Sequence, residues 1–175
     1  MRKATTSAMD YWIIKGNKKY PTDWDDRYGN LSDMLETGHE GVWATRRKIP
    51  EDFKKGDGIF YWSSAPDCFV IGLGKVLDPN LSNGGEYNQF KLSYLTPPLR
   101  RTHTINDLRR LLPKSPNGNL ASFLRPACVQ TIYSLTHDQA VRLAKLIAQP
   151  TQEVEVARET ARDRLRSWRL IEAVS

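Results

Sequence analysis

A chain of 175 residues, 39% apolar and 26% charged, is long enough to bury one core of useful size, and leaves room for one domain with a short appendage. Its formal net charge of +6 favours a polyanionic partner. No signal peptide opens the sequence and no apolar run approaches the ~20 residues of a membrane span, so a cytoplasmic protein with no membrane contact is expected.

The first nine residues are polar and read as a frayed end. Tyr11 to Lys15, rich in aromatic and β-branched residues, predicts a strand. Lys18 to Gly29 has no period and predicts a loop, in which Trp24 is either pinned to the core or exposed for use. Asn30 is placed to cap a short helix with Leu31, Met34 and Leu35 on its apolar face, ended by Gly38. Gly41 to Thr45 is a second short strand. Pro50 to Gly58 reads as a helical turn followed by a tight turn.

A hairpin follows, with arms Ile59–Ser63 and Cys68–Leu77 joined by Ser64-Ala65-Pro66-Asp67. The second arm is too apolar for an edge, and its Gly72 and Gly74 indicate a bend or a close backbone approach. Pro79 to Gly85 predicts a loop and Tyr87 to Leu95 a half-buried strand. Thr104 caps a helix with Ile105, Leu108, Leu111 and Leu112 on one face. After a loop at Pro113–Asn119, Val129 to Leu135 is the final strand. Thr136 and Gln139 form a capping box that opens a helix with Ala140, Leu143, Ala144 and Ile147 buried. Five or so strands flanked by helices predict an α+β fold, a small β-barrel with peripheral helices over residues 10–150.

Residues 151–175 differ in character. Val154, Ala157, Ala161, Leu165 and Trp168 recur at helical spacing, and the tail's five acids and five bases cancel, so the +6 belongs to the domain. This amphipathic helix is expected to dock on the barrel or to link to something else. Its stripe leaves open a monomer or a weak dimer.

Enzyme signatures are missing. His39, His103 and His137 are scattered, no phosphate-binding loop or nucleophile elbow is present, and the two cysteines, Cys68 and Cys128, match no zinc or redox spacing. Asp23, Asp25 and Asp26 cluster in a loop where solvated charge is the ordinary explanation. The expectation is a binding protein with no catalytic residue, no metal and no cofactor. The remaining enzyme alternative is a small-molecule reaction beside that aspartate loop.

The aromatic residues carry more. Trp12, Trp24, Trp43, Trp62 and Tyr94 lie on or beside strands, and core burial is the ordinary explanation for each. Period two puts Phe60 and Trp62 on one face and Tyr61 on the other. With one face in the core, a large aromatic is expected on the outer face or at the strand end. Arg46, Arg47 and Lys48 follow Trp43, and Arg100 and Arg101 follow the Tyr94 strand. Both groups fit phosphate contacts as well as solvated loops.

Tyr11 to Asn17, Gly41 to Thr45, Gly56 to Tyr61, Ile71 to Val76, Leu124-Arg125-Pro126 and Leu135 to Ala140 together resemble the EVE domain, over about residues 10 to 149. EVE domains belong to the PUA-like superfamily and are related to YTH domains, readers of methylated adenine in RNA. The resemblance implies a PUA-like mixed barrel of five or six strands with a C-terminal helix. It also implies an aromatic cage for a modified base, in DNA rather than RNA, and a nuclease or GTPase partner as in modification-dependent restriction. By position, Gly41-Val42-Trp43 is similar to the YTH segment whose tryptophan is one cage wall, Tyr94 stands where the second wall is a tryptophan, and Gly16 and Ala44 stand for serines. The implied base-binding set is Trp43, Tyr94, Trp62, Trp24, Asn17, Gly16, Ala44 and Ser63. The implied phosphate-binding set is Lys15, Arg46, Arg47, Arg100 and Arg101. The alternative that the resemblance leaves is an RNA-binding module indifferent to modification.

Overall fold

The protein is described from a computed structural model, whose described residues are 8–16, 31–64, 68–82, 85–112, 124, 131–151 and 155–173. Their elements in chain order are β1 (Tyr11–Gly16), α1 (Leu31–Thr37), β2 (Glu40–Thr45), β3 (Gly58–Ser63), β4 (Phe69–Ser82), β5 (Asn88–Tyr94), α2 (Ile105–Leu111), β6 (Ile132–Leu135), α3 (His137–Ala148) and α4 (Val156–Ser167). The strands form one sheet in the order β2-β5-β4-β3-β1-β6. Every neighbouring pair is antiparallel except β1 and β3, which run parallel from Tyr11 opposite Gly58 to Gly16 opposite Ser63.

Alternation sorts the strand side chains into two cores. Trp12, Ile14, Ile59, Tyr61, Phe90, Leu92 and Tyr94 gather inside with Leu31 and Leu35 of α1. Tyr11, Ile13, Phe60, Trp62 and Leu73 gather outside, beneath α2, α3 and α4. The sheet is strongly curled. Trp43 of β2 stacks on Tyr61 of β3, although β5 and β4 lie between those strands in the ladder. The curl makes a small mixed barrel, with helices on its outer face.

This two-sided burial corrects one expectation. All six residues of β3 are buried, so neither face of Phe60-Tyr61-Trp62 is left for solvent. The reason is that α3 and α4 cover what a free-standing barrel would expose. A second correction concerns Pro79: β4 continues to Ser82, past the predicted start of the loop. Its pairing with β5 shifts register between Val76 and Asp78 and again before Ser82, so a residue without an N–H donor is tolerated there. Residues 50–57 form two tight turns rather than a helical turn, closed by Phe53 N–H to Pro50 O at 3.1 Å and Asp57 N–H to Lys54 O at 3.2 Å. Gly56 in the second has φ of 92°, which favours glycine. Leu111, expected on the buried stripe, is 38% exposed.

The capping boxes at Thr104–Asp107 and Thr136–Gln139 both form. α4 docks through buried arginines as well as its apolar stripe. Arg158, 2% exposed, pairs with Glu155 at 2.9 Å and donates to Ile147 O at 2.8 Å and Arg100 O at 3.0 Å. Arg162 donates to Ala148 O at 2.8 Å and Gln149 O at 3.0 Å. These guanidiniums satisfy the carbonyls that the end of α3 leaves without intrahelical partners.

Asp57 ties the opposite side together. Its buried carboxylate accepts from Trp12 Nε1–H at 2.9 Å, Lys54 N–H at 2.9 Å and Asp10 N–H at 3.2 Å. Asp57→Ala orphans all three donors, two of which anchor the start of β1. The expected loss is about 3 kcal/mol in chemical denaturation; a loss below about 1 kcal/mol would mean that water replaces the carboxylate.

Candidate functional site

Trp43 is the organising residue of the barrel mouth. It sits on β2, which among the described strands is terminal and hydrogen-bonded to β5, and pairs with Phe90. Its indole stacks on Tyr61 with centroids 5.8 Å apart and planes 24° from parallel. Its Nε1–H donates to Tyr94 Oη at 3.0 Å, and the Tyr94 hydroxyl reaches Met34 Sδ of α1 at 3.3 Å. Tyr61 donates to Ser93 O at 2.7 Å, and the rings of Tyr61 and Tyr94 lie 5.5 Å apart. Burial raises the pKa of Tyr94, partly offset by the hydrogen bond from Trp43, and raises that of Tyr61 well above its ordinary value. Both phenols therefore stay neutral and keep their protons for donation.

Burial separates supports from surface. Tyr61 is 0% and Tyr94 8% exposed, whereas Trp43 is only half-buried. Two glycines make the arrangement possible. A Cβ on Gly41 would overlap Tyr94 Oη, and one on Gly16 would stand 3.1 Å from Trp43 Cη2 and 3.2 Å from Leu31 Cδ2. The mouth thus holds one fixed indole with an accessible part, braced from beneath by two tyrosines.

The expected site residues divide accordingly. Trp43, Tyr94, Gly16 and Ser63 come together on the inner face, Ser63 being 0% exposed at the end of β3. Tyr94 differs from the facing wall that the resemblance implies: it hydrogen-bonds the edge of Trp43 and is buried, so it braces the indole. Trp62 belongs to the outer core at 2% exposure. Its strand neighbour Tyr61 has the inward place. Ala44 alternates with Trp43 and faces away from it. Asn17 and Trp24 lie outside the described residues, as do Asp23, Asp25, Asp26 and Cys128.

The basic residues divide too. Lys15 is on the outer face, its Nζ 4.9 Å from the centre of the Tyr133 ring. Arg46 is exposed, bonded to Glu86 at 3.0 Å and to Tyr87 Oη at 2.9 Å. Arg47 and Lys48 are also exposed and line a cleft of about 250 Å³ with Trp12, Thr45, Thr131 and Tyr133, where the terminal strands β2 and β6 face each other. Arg100 and Arg101 are elsewhere, beside the junction of α3 and α4 with His103 and Glu155. Tyr61 is the residue that sequence reasoning missed. The signal was the alternation itself, which already set Tyr61 opposite Trp62.

Among the described residues no group of three or more His, Cys, Asp or Glu could hold a metal ion, and no helix is long and apolar enough to cross a membrane.

No family profile and no curated protein matches the chain. Solved structures do. The human THYN1 protein, crystallised in complex with 5-methylcytosine-containing DNA, aligns with a TM-score of 0.59 at 14% identity over 81% of this chain and 99% of that one. Rpa0253 from Rhodopseudomonas palustris aligns at 0.53 with 13% identity over 84% and 100% of the two chains. Atu2648 from Agrobacterium tumefaciens aligns at 0.50 with 16% identity over 78% and 92%. What these likenesses share with the chain is the fold, a PUA-like mixed barrel with peripheral helices.

Tyr94→Phe keeps the ring and removes the acceptor of the indole N–H. The expected cost is about 1 kcal/mol of stability, with a shifted Trp43 Nε1–H resonance in the NMR spectrum. An unmoved resonance would remove the Tyr94 hydroxyl from the bracing of Trp43.

Proposed function

We propose that the chain is a nucleic-acid reader that captures a modified base, methylated or hydroxymethylated cytosine or N6-methyladenine, in DNA in preference to RNA. The observation that carries this reading is the half-buried indole of Trp43, held by Tyr61 and Tyr94 at the barrel mouth. A half-buried indole held in place by two tyrosines suits a base that has left its stack. The fold likeness to a protein crystallised with 5-methylcytosine-containing DNA supports the choice of ligand class. Catalysis, in this reading, belongs to a separate nuclease or GTPase partner.

The energetics fit a stacking platform assisted by cations. Stacking on one aromatic side chain contributes roughly 1–3 kcal/mol, comparable with the few kcal/mol needed to extrude a base from a duplex. A buried methyl adds only about 0.8 kcal/mol. Selectivity then depends on polar contacts that the wrong base leaves unpaired. Arg47, beside the Thr45 end of β2, is the natural phosphate contact, whereas Arg46 would have to exchange Glu86 and Tyr87, and Lys48 its partner Glu51, for phosphate.

The test is a titration of short duplexes carrying 5-methylcytosine, 5-hydroxymethylcytosine or N6-methyladenine, with unmodified duplexes and matching RNAs as controls. The native chain is expected to prefer one modified DNA, and Trp43→Ala to lose about tenfold or more of that affinity. Equal affinity for every oligonucleotide, or an unaffected Trp43→Ala chain, would sink the reading. Tighter binding to RNA regardless of modification would favour the module indifferent to modification. In the same assay Arg47→Ala should weaken all duplexes alike and reduce the salt-dependence slope by about one. An unchanged slope would take Arg47 out of the phosphate track.

A further inference from the structure

β6 carries an edge that nothing among the described residues blunts. Lys15 N–H donates to Thr131 O at 3.0 Å, which makes those two a hydrogen-bonded pair of the antiparallel ladder. Such pairs alternate with pairs that exchange no hydrogen bond. Ile13–Tyr133 and Tyr11–Leu135 are therefore of the first kind, and Ile14–Ile132 and Trp12–Ser134 of the second. The N–H and C=O groups of Ile132 and Ser134 point away from β1, and among the described strands β6 has no neighbour on that side. Proteins usually protect a free edge with lysine, proline or a bulge. Ile132-Tyr133-Ser134-Leu135 holds neither lysine nor proline, and its register with β1 runs without a shift.

This edge opens on the cleft of about 250 Å³ that Thr131, Ile132 and Ser134 line from one side and Thr45 and Arg47 from the other. Ser134 is exposed, so solvent reaches the edge. The cleft is smaller than the roughly 300–1,000 Å³ of small-molecule sites. With the end of β2 standing across from it, there is room for one slender chain and none for a second sheet.

Two features select the occupant. Backbone donors and acceptors that recur every second residue, about 7 Å apart, are matched by another extended backbone. The Arg47 guanidinium is exposed and has no acidic partner among the described residues, whereas Lys48 is already paired with Glu51 at 2.7 Å. Asp52 lines the same cleft, so a single acid on the incoming chain suits it better than an acidic run.

We infer that the β6 edge is a docking site for an extended segment of a partner protein, which adds as a strand beside Ile132 and Ser134 and sets one acidic side chain against Arg47. The site lies apart from Trp43 and is independent of the base-reading function.

The probe is a capped hexapeptide of alternating valine and threonine with one central glutamate, titrated into the full chain and followed by NMR. Bound peptide should slow amide exchange at Ile132 and Ser134 about tenfold or more and leave Tyr133, already bonded to β1, unchanged. Ser134→Pro removes a donor from the free edge and no bond from the ladder, a place where proline is tolerated. It should fold as the native chain does and bind the peptide about tenfold more weakly. Arg47→Glu should lose a similar factor, and regain it with lysine in place of the peptide's glutamate. If Ser134→Pro misfolds, the peptide N-methylated at alternate residues takes its place: it should not bind the native chain, and equal binding overturns the inference. No binding of the peptide by the native chain, or undiminished binding by Ser134→Pro, overturns it as well. If Ser134→Pro weakens modified duplexes and not the peptide, the cleft belongs to the nucleic-acid track and the inference fails. Trp43→Ala should bind the peptide as the native chain does, so failure here leaves the reader standing.

Discussion

Tyr61 is the post on which the barrel mouth rests. Its ring occupies the interior between strands that are not neighbours in the ladder, and space for it exists because Gly74 lacks a side chain: a Cβ there would lie 2.6 Å from Tyr61 Cε2 and Oη. Its hydroxyl fastens to the backbone of β5 at Ser93, and its face supports Trp43. Among the described strands β2 has a hydrogen-bonded neighbour on one side, and this stack holds it across the interior toward β1. The curl of the sheet and the position of the indole are one event.

Much of this architecture is legible in the sequence because it depends on local chemistry. The two capping boxes announce α2 and α3, and the glycines at 72 and 74 signal close approach, which the structure resolves as Leu35 and Tyr61 pressed against β4. What escapes is decided by long-range packing. Alternation divides Tyr61 from Trp62 but cannot say that both sides of β3 are covered, since that depends on helices far along the chain. Lys15 and Arg100 read from sequence as cations near aromatic strands. Parity puts Lys15 on the outer face beside Tyr133, and Arg100 joins the α3–α4 junction. The sequence singles out Trp43, and the structure adds which residues it packs against. Tyr94 reads as a second wall, and in the structure its hydroxyl accepts from the Trp43 indole N–H.

The arginines of α4 illustrate how net charge can mislead. Arg158 and Arg162 are spent on backbone carbonyls at the end of α3, with acids Glu155 and Glu159 beside them. They stabilise the docking of α4 and present little field to a polyanion. Arg47, by contrast, stands exposed just beyond β2 and lines the cleft at Trp12, where Lys48 pairs with Glu51 at 2.7 Å.

The single parallel pairing has a consequence for how such a protein can change. β1 and β3 end side by side, at Gly16 and Ser63, so two adjacent carboxyl ends of the sheet lie close to Trp43. Open sheets in α/β enzymes use adjoining carboxyl ends in the same way, keeping the scaffold constant while the connections vary. Here both strand ends lie on the side of the sheet where the Cβ direction of Gly16 leads to Trp43. In the reader proposed above, changes beyond either end are the ones that leave Tyr61, Gly74 and the ladder undisturbed.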